Sequence, residues 1–200
     1  MSAELIVAIA GVGAALSIPL TAFVRRPSVE LLKDQNGDHS RVETTMLIDH
    51  IGDERPYLRI MVRNKRWRRS ATEARVVVDR VRSRGGVEFT LGCPELAWTS
   101  HFEDTRPTIF SNWHRPLDFG QLINPSGNAW QLQLTLAKGM TTGDHRETLE
   151  ACDDGYCVTL TTGAADSRGR TYEVDVNWNP HAKSATDALG SVAMAVRRAR

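Results

Sequence analysis

Ser111, His114 and Asp118 are the residues of this sequence whose types come nearest to a catalytic set. They supply the nucleophile, base and acid of a hydrolase triad within the aromatic-rich segment 98–119. No GxSxG-type turn surrounds the serine, and such a turn is what exposes a hydrolase nucleophile. We therefore expect no catalytic residue and no enzymatic activity, and we keep a membrane-bound hydrolase that uses segment 98–119 as an alternative.

Metal and cofactor sites are not expected either. Asp34, Asn36 and Asp38 alternate as in a calcium loop, but Thr45 stands where that loop needs a glutamate. A hairpin turn at Asn36-Gly37, joining strands over 29–33 and 41–51, is the favoured interpretation. The histidines show no metal-ligand spacing, standing at positions 39, 50, 101, 114, 145 and 181.

The stretch CDDGYC, residues 152–157, raises the question of a disulfide. If Asp154 and Gly155 are the central residues of a hairpin turn, Cys152 falls opposite Cys157, with Cα atoms about 4.5 Å apart. A disulfide there would indicate an oxidising compartment. Cys93 is left without a partner.

A strongly basic stretch runs from Tyr57 to Arg84, with ten Arg or Lys residues against two acidic ones. Its centre is the turn KRWRR, where four cations surround a tryptophan. Phosphate groups and anionic lipid heads both attract such charges, so binding of nucleic acid or anionic lipid through the 57–84 strand pair is an alternative function. We expect Arg66, Arg68 and Arg69 to be exposed. The candidate binding residues are Lys65, Arg66, Trp67, Arg68, Arg69, Trp98 and Trp113.

The elements that position these residues begin with an apolar segment. Residues 5–24 carry no charge and end at Arg25 and Arg26. Twenty helical residues span about 30 Å, the thickness of the hydrocarbon core of a bilayer. The residues before this segment include Glu4 and no cation, unlike the basic start of a cleaved signal peptide. A retained single-pass anchor helix is therefore predicted.

The basic residues after the helix place the C-terminal domain in the cytoplasm by the positive-inside rule, with the protein in the cell membrane. This topology conflicts with a disulfide between Cys152 and Cys157, and both predictions stay open. Small residues recur at a spacing of four on the helix, as Gly11/Ala15 and Gly13/Ser17. That spacing would allow a homodimer through the anchor, although small residues are common in membrane helices.

After the anchor, the hydrophobic pattern alternates with a period of two. Short alternating runs separated by Gly, Asn, Asp and Pro are typical of an all-β, immunoglobulin-like antiparallel sandwich. Thr186-Asp187 can cap a short C-terminal helix, with Leu189, Val192, Ala193 and Val196 on one face. The domains are then 1–26 for the anchor and basic flank, 27–180 for the sandwich, and 181–200 for the short helix and tail. The aromatic side chains of 98–119 either cover an open end of the sandwich or form a ligand-binding surface.

The stretch LRIMVRNKRWRRSATEARVVV resembles the strand–turn–strand unit of bacterial immunoglobulin-like modules of the CARDB type. The glycine usual in that turn is replaced by Arg66 or Trp67. The resemblance implies the sandwich fold and a binding or structural role. The matching positions are Leu58, Ile60, Val62, Asn64, Ala71 or Ala74, Val76 and Val78.

Together these patterns predict a single-pass membrane-anchored protein that binds a partner or scaffolds a complex. The expected partners are the lipid bilayer, through residues 5–24, and a protein whose identity the sequence does not give. Contact with anionic lipid is a further expectation, and nucleic acid is the less favoured ligand.

Overall fold

The chain is described by a computed structural model, which covers residues 26–31, 42–48, 54–89, 91–99, 106–137, 148–150, 155–167 and 169–199. These residues form two antiparallel sheets and one short helix, so the prediction of an all-β sandwich is confirmed. The strands are β1 (Val29–Leu31), β2 (Val42–Ile48), β3 (Glu54–Asn64), β4 (Arg75–Ser83), β5 (Glu88–Phe89), β6 (His114–Ile123), β7 (Gln131–Leu134), β8 (Thr148–Leu149), β9 (Tyr156–Gly163), β10 (Arg170–Asn177) and β11 (Ala193–Arg198); the helix is α1 (Ala185–Gly190).

The first sheet has the order β1-β3-β6-β7-β8, and β2 also pairs with β3. Strands β1 and β2 lie end to end along one edge of β3, because Leu31 is opposite Val62 and Val42 is opposite Ile60. Both run antiparallel to β3 and therefore run in the same direction. The expected pairing of these two strands across the Asn36-Gly37 turn is wrong, and the turn itself lies outside the described residues.

The second sheet has the order β11-β10-β9-β4-β5. Its inner face meets that of the first sheet in one apolar core. In β3, Leu58, Ile60 and Val62 are at most 1% exposed, and in β4, Val76 and Val78 are fully buried. The period-two pattern of both strands therefore points inward as predicted. Burying a side chain of this size contributes about 1.5–3 kcal/mol.

The two basic strands do not form a pair. β3 belongs to the first sheet and β4 to the second, so the residues between Asn64 and Arg75 cross from one sheet to the other. The prediction of a 57–84 strand pair is wrong, because alternation tells which face of a strand is buried and not which strand lies beside it. The cations of this stretch are consequently divided between opposite sides of the sandwich.

The sequence pattern does not predict strand β6. The residues from Leu117 to Leu122 are all buried, so their side chains show no alternation of apolar and polar types. A β-bulge at Phe119 also shifts the register, since Leu58 is opposite Gly120 and Arg59 is opposite Asp118. A strand buried on both faces and broken by a bulge carries no period-two signal.

The C-terminal segment contains a short helix, as predicted, but a strand of equal length follows it. Helix α1 has six residues and is capped by Ser184, whose side chain accepts a hydrogen bond from the Asp187 backbone N–H. The prediction of a cap at Thr186-Asp187 is therefore wrong by two residues. The prediction of a helical face through Val196 is also wrong, because β11 pairs with β10 and Val196 is opposite Val174. The apolar residues at positions 192, 194 and 196 alternate as in a strand, so the sequence fits a strand as well as it fits the predicted helix.

Cys157 does not have the strand partner that the predicted CDDGYC hairpin requires, and residues 151–154 lie outside the described residues. Both edges of β9 are occupied, since Cys157 is opposite Arg82 of β4 and Asp175 of β10. The preceding strand β8 belongs to the other sheet. Cys157 is a buried free thiol, whereas Cys152 lies outside the described residues. A disulfide between Cys152 and Cys157 stays a prediction. The described partners of Cys157 do not support the hairpin geometry that suggested this disulfide.

The predicted anchor, residues 5–24, lies outside the described residues. In the part of the chain that the structure describes, no helix has the length and apolar character needed to cross a bilayer.

Cys93 and Cys157 offer a test of this packing. Burial raises the pKa of the Cys157 thiol, and Asp175 beside it acts in the same direction. Less thiolate is therefore present at pH 8 than in a free cysteine, and a reagent must also reach a residue that is 6% exposed. We expect maleimide to label the exposed Cys93 rapidly and Cys157 slowly in the folded chain. Peptide mass spectrometry separates the sites, and equal rates in native protein would contradict the fold around β9.

Candidate functional site

The buried side chain of Asn64 joins three segments at one end of the sandwich. Its Oδ1 accepts a hydrogen bond of 3.1 Å from the Ser28 backbone N–H. Its Nδ2 donates to the carbonyl oxygens of Arg69, at 2.6 Å, and Ile109, at 3.1 Å. The side chain is fully buried, so each of these bonds replaces water that cannot reach it. One amide thus holds together the residues before β1, the β3–β4 crossing and the segment before β6.

We call residues 65–70 and 110–113 the tip. The two parts of the tip are held side by side by backbone bonds: Asn64 N–H donates to Trp113 O at 3.1 Å, and Asn112 N–H donates to Asn64 O at 3.0 Å. Residues 26–28 adjoin the tip, because Lys65 N–H donates to Ser28 O at 3.1 Å. The tip therefore lies at the end of the sandwich where the chain arrives from the predicted anchor.

Trp67 is the most exposed large apolar residue of the described chain, at 79%. Its backbone has φ +64°, in the left-handed region that costs a residue with a side chain about 1–2 kcal/mol. The Arg66 guanidinium lies 4.9 Å from the centre of the Trp67 ring. The chain thus retains a bulky aromatic side chain, stacked with a cation, at a position where glycine would fold more easily.

A second aromatic pair stands on the other part of the tip. Phe110 and Trp113 are 54% and 64% exposed, and their rings meet edge to face with centroids 5.6 Å apart. The turn between them is closed by a hydrogen bond of 3.1 Å from Trp113 N–H to Phe110 O. Large apolar side chains exposed together are typical of a surface that contacts a membrane or a protein.

Glu30 lies behind the tip and is 7% exposed. Three cations surround its carboxylate: Arg63 Nη2 at 2.8 Å, Lys65 Nζ at 3.2 Å and Arg170 Nη1 at 2.7 Å. These residues come from β3, the tip and β10, so a single buried charge ties the two sheets together. Because one carboxylate serves three cations, the group keeps an excess of positive charge at this end of the molecule.

The predicted binding residues have different environments. Arg66 and Arg69 are exposed as predicted, whereas Arg68 is half-buried. Lys65 is engaged by Glu30. Trp98 is 1% exposed and belongs to the core, so the prediction that it contacts a partner is wrong.

The position of Trp98 follows from a segment whose sequence pattern is too irregular to predict a strand. The Leu96 N–H donates to Val76 O of β4, and the Ala97 N–H donates to Thr135 O next to β7. This short stretch therefore closes one side of the sandwich by bonding to both sheets. Trp98, opposite Leu117 of β6, then points into the core.

The other cations of the basic stretch lie away from the tip. Arg59 is bound to the buried Asp118 at 2.9 Å on the first sheet. Arg80, on the second sheet, lies 3.5 Å from Glu88. The basic stretch is consequently not one continuous surface for a nucleic-acid backbone.

The residues proposed for a hydrolase are not assembled into a triad. His114 and Asp118 are four positions apart on β6, which corresponds to about 13 Å along a strand. Asp118 Oδ1 accepts instead from Thr99 Oγ1 at 2.7 Å and from Arg59 Nε at 2.9 Å. Within the described residues, no group of three or more His, Cys, Asp or Glu side chains is placed to hold a metal ion.

Several residues of this end were missed by sequence reasoning. Phe110 lies in the aromatic segment and was not singled out. Arg170 and Arg198 reach the same end from β10 and β11, and only the strand order brings them there. For Glu30 a signal existed, because a glutamate between Val29 and Leu31 in a buried strand requires cationic partners.

Comparison of the chain with protein-family models, curated proteins and solved structures finds no match.

Replacement of Asn64 tests whether its amide holds the tip. Asn64→Ala leaves the Ser28 N–H and two carbonyls without their partner in a buried place, which costs about 1–3 kcal/mol per unsatisfied group. We expect the free energy of unfolding to fall by about 3 kcal/mol in urea denaturation. Thr72→Ala, at an exposed position of the same crossing, is the control and should change it by about 0.5 kcal/mol or less. Equal effects of the two variants would contradict a structural role for Asn64.

Proposed function

We propose that this chain is a single-pass membrane-anchored binding protein without enzymatic activity, and that its sandwich rests with the tip against the bilayer surface. The observation that carries the proposal is the exposure of Trp67, Phe110 and Trp113 beside cations, at the end of the sandwich where residues 26–28 lie. Tryptophan is enriched at membrane interfaces because one side of the ring is apolar and the N–H needs a polar partner. Each cation near an anionic surface adds about 1 kcal/mol.

The strained backbone of Trp67 supports a contact role for this side chain. A protein gains nothing in folding from an exposed tryptophan at positive φ, since glycine there would avoid the strain. Strained residues of this kind cluster at functional sites. Trp67 is therefore the residue that we expect to make the closest contact.

The anchor and its topology are part of the proposal. Residues 5–24 would span the bilayer, and Arg25 and Arg26 would place the sandwich on the cytoplasmic side. Anchoring through this segment also allows a homodimer through its small residues.

We propose that the sandwich is immunoglobulin-like because of the way its central strands are connected. β3 and β4 are consecutive yet lie in opposite sheets, pairing with β6 and β9. Strands B and C of immunoglobulin domains cross in the same way. In the sheet order ABED of those domains, strand E lies between B and D, and D precedes E in the sequence. Here β6 has the position of E beside β3, and its other neighbour, β7, follows it in the sequence. The proposed likeness is therefore to the sandwich architecture and a CARDB-type binding role, not to every strand position.

A protein partner at the tip is the second candidate function. Exposed Trp and Arg side chains are also the residues that dominate binding energy in protein interfaces. Binding of nucleic acid is less favoured, because the cations of residues 57–84 are divided between two sheets.

Fluorescence quenching by brominated lipid distinguishes these surfaces. In liposomes of anionic lipid with brominated acyl chains, the full chain should lose the emission of Trp67 and Trp113, because bromine quenches tryptophan on contact. The double variant Trp67→Gly/Trp113→Ser should show much less quenching. The control Trp130→Phe, at the opposite end of the sandwich, should leave the quenched emission unchanged. If wild type and the double variant are quenched alike, the tip does not lie on the membrane.

The single variant Trp67→Gly distinguishes a membrane-contact role of Trp67 from a role in the stability of the fold. Relief of the left-handed strain should raise the free energy of unfolding by about 1 kcal/mol in neutral detergent, while quenching falls. Loss of stability together with loss of quenching would instead make Trp67 a structural residue.

A further inference from the structure

Strand β11 has a neighbouring strand on one side only among the residues that the structure describes. It pairs with β10 over six consecutive residue pairs, from Tyr172 opposite Arg198 to Asn177 opposite Ala193, without a shift of register. The other side of β11 is an edge of the second sheet. At the opposite edge of the same sheet, β5 has only two residues. Of these two edges, β11 therefore offers the longer stretch of backbone.

The backbone groups of every second residue of β11 point away from the sheet. The Ala199 N–H donates to Thr171 O at 3.0 Å, so the odd-numbered residues of β11 form the hydrogen-bonded pairs with β10. The N–H and C=O groups of Met194, Val196 and Arg198 consequently point outward, and they have no backbone partner within the described residues. These groups have the spacing that an added strand needs.

The edge of β11 lacks most of the features that prevent the addition of a strand. Sheet edges are usually protected by proline, a bulge, charged side chains or a very short strand. β11 has six residues, contains no proline and pairs without a bulge. Its first four residues, AMAV, are uncharged, and its charges begin at Arg197. An extended chain can therefore pair with residues 193–196 without burying a charge of this strand.

The side chains of β11 determine which added strand fits. Val196 is 5% exposed and Met194 is half-buried, so both face the core. An added residue opposite either of them continues this inner face and is expected to be apolar. Ala193 and Ala195 are exposed on the outer face, where their small side chains leave room for polar ones. The edge thus fits a segment in which apolar and polar residues alternate.

Two adjacent arginines decide the charge that the edge prefers. Arg197 lies on the outer face, where it binds Glu173 at 2.8 Å and Asp175 at 2.9 Å. Arg198 is exposed, and none of the described carboxylates forms an ion pair with it. An acidic side chain opposite Arg198 would form a charge-assisted bond across the strands, whereas a basic one would be repelled. The preferred segment is therefore acidic at this position.

A second copy of the chain suits this edge less well than a different protein does. Two β11 strands related by a two-fold axis through the sheet run antiparallel. The tips of the two copies would then point in opposite directions, and both could not lie on one bilayer. A partner segment has no such constraint, because the edge runs along the side of the sandwich and the tip lies at its end.

We propose that the free edge of β11 binds an extended segment of a partner protein as a sixth strand of the second sheet. The segment has apolar residues opposite Met194 and Val196 and an acidic residue opposite Arg198. In binding of this kind, main-chain hydrogen bonds supply the affinity and alternate side chains supply the specificity. The inference rests on the proposed role as a membrane-anchored binding protein, and it names the surface that takes the partner.

Selection from a displayed library of random peptides tests the site, with the full chain in neutral detergent as the bait. Peptides of about ten residues are long enough to pair with all of β11. We expect the selected peptides to alternate Val, Ile or Thr with polar residues and to carry Asp or Glu at one end of this pattern. A fluorescein-labelled selected peptide then serves as the probe in fluorescence anisotropy.

Proline variants show whether the probe pairs with β11. Arg198→Pro removes an outward N–H and a charge while leaving the bonds to β10, and it should weaken binding of the probe by about tenfold. The matched control is Glu88→Pro on β5. The Ser83 N–H donates to Val87 O, so the Glu88 N–H also points outward, at the other edge of the same sheet. Glu88→Pro should bind the probe as wild type does.

Four results would overturn the proposal. A library that yields no peptides, or peptides without the alternating pattern, would mean that the edge takes no extended segment. Equal effects of Arg198→Pro and Glu88→Pro would place the probe elsewhere. A wild-type dimer that dissociates in Arg198→Pro, seen in sedimentation, would assign the edge to a second copy. If Arg198→Pro does not fold, Arg198→Gln keeps the N–H and removes the charge. Weakening of the probe by about threefold or more in Arg198→Gln would support the site, and unchanged affinity would count against it.

Peptide binding and tryptophan quenching separate failure of this site from failure of the membrane placement. Normal quenching without an edge-binding peptide overturns the β11 site and leaves the membrane contact of the tip in place. Peptide binding that depends on Arg198 without quenching keeps the β11 site and overturns the membrane contact. Absence of both overturns the two together.

Discussion

The buried amide of Asn64 is the interaction on which the arrangement of this molecule depends. A carboxamide has both a donor and an acceptor, so one side chain can satisfy the N–H of Ser28 and the carbonyls of Arg69 and Ile109. No apolar residue could do this, and an aspartate would lack the donor. The consequence extends beyond stability, because the three segments that it joins carry the exposed aromatics, the cations and the start of the domain.

The charged side chains are distributed unevenly between the faces of the sheets and the end that carries the tip. The chain as a whole is nearly neutral, at +1, yet its cations and anions are not mixed evenly. On the faces of the two sheets, arginines meet carboxylates, as Arg197 meets Glu173 at 2.8 Å and Asp175 at 2.9 Å. At the end that carries the tip, three cations share the one carboxylate of Glu30. An almost neutral protein thus has a local excess of positive charge in this group.

The fold class and most strands were predictable because burial on one face leaves an alternating pattern. Leu58, Ile60 and Val62 show it, and their strand was found within three residues at its start. The pattern failed where both faces are buried, as in β6, and where a strand and a helix fit equally well, as around Val196. Strand neighbours were not predictable, which is why β3 and β4 were paired with each other.

Only part of the candidate site could be predicted from the sequence. Trp67 and Trp113 were found because an aromatic residue among polar ones is visible in the sequence. Trp98 had the same appearance but is buried, since a bridging segment carries it into the core. Arg170 and Arg198 stand more than a hundred residues from Arg26, and no local pattern could bring them to one end of the sandwich.

Strand β1 has a mechanical consequence for a tethered domain. It runs beside β3 in register, with Val29 opposite Asn64, and the Val29 carbonyl accepts a further bond of 2.9 Å from Thr162 Oγ1 of the other sheet. Under the proposed anchoring, a force that pulls the domain away from the bilayer acts along β1. Its hydrogen bonds to β3 are then loaded together, in shear, instead of breaking one after another as a strand is peeled from an edge. The first three residues of the sandwich would act as a clamp that transmits tension into both sheets at once.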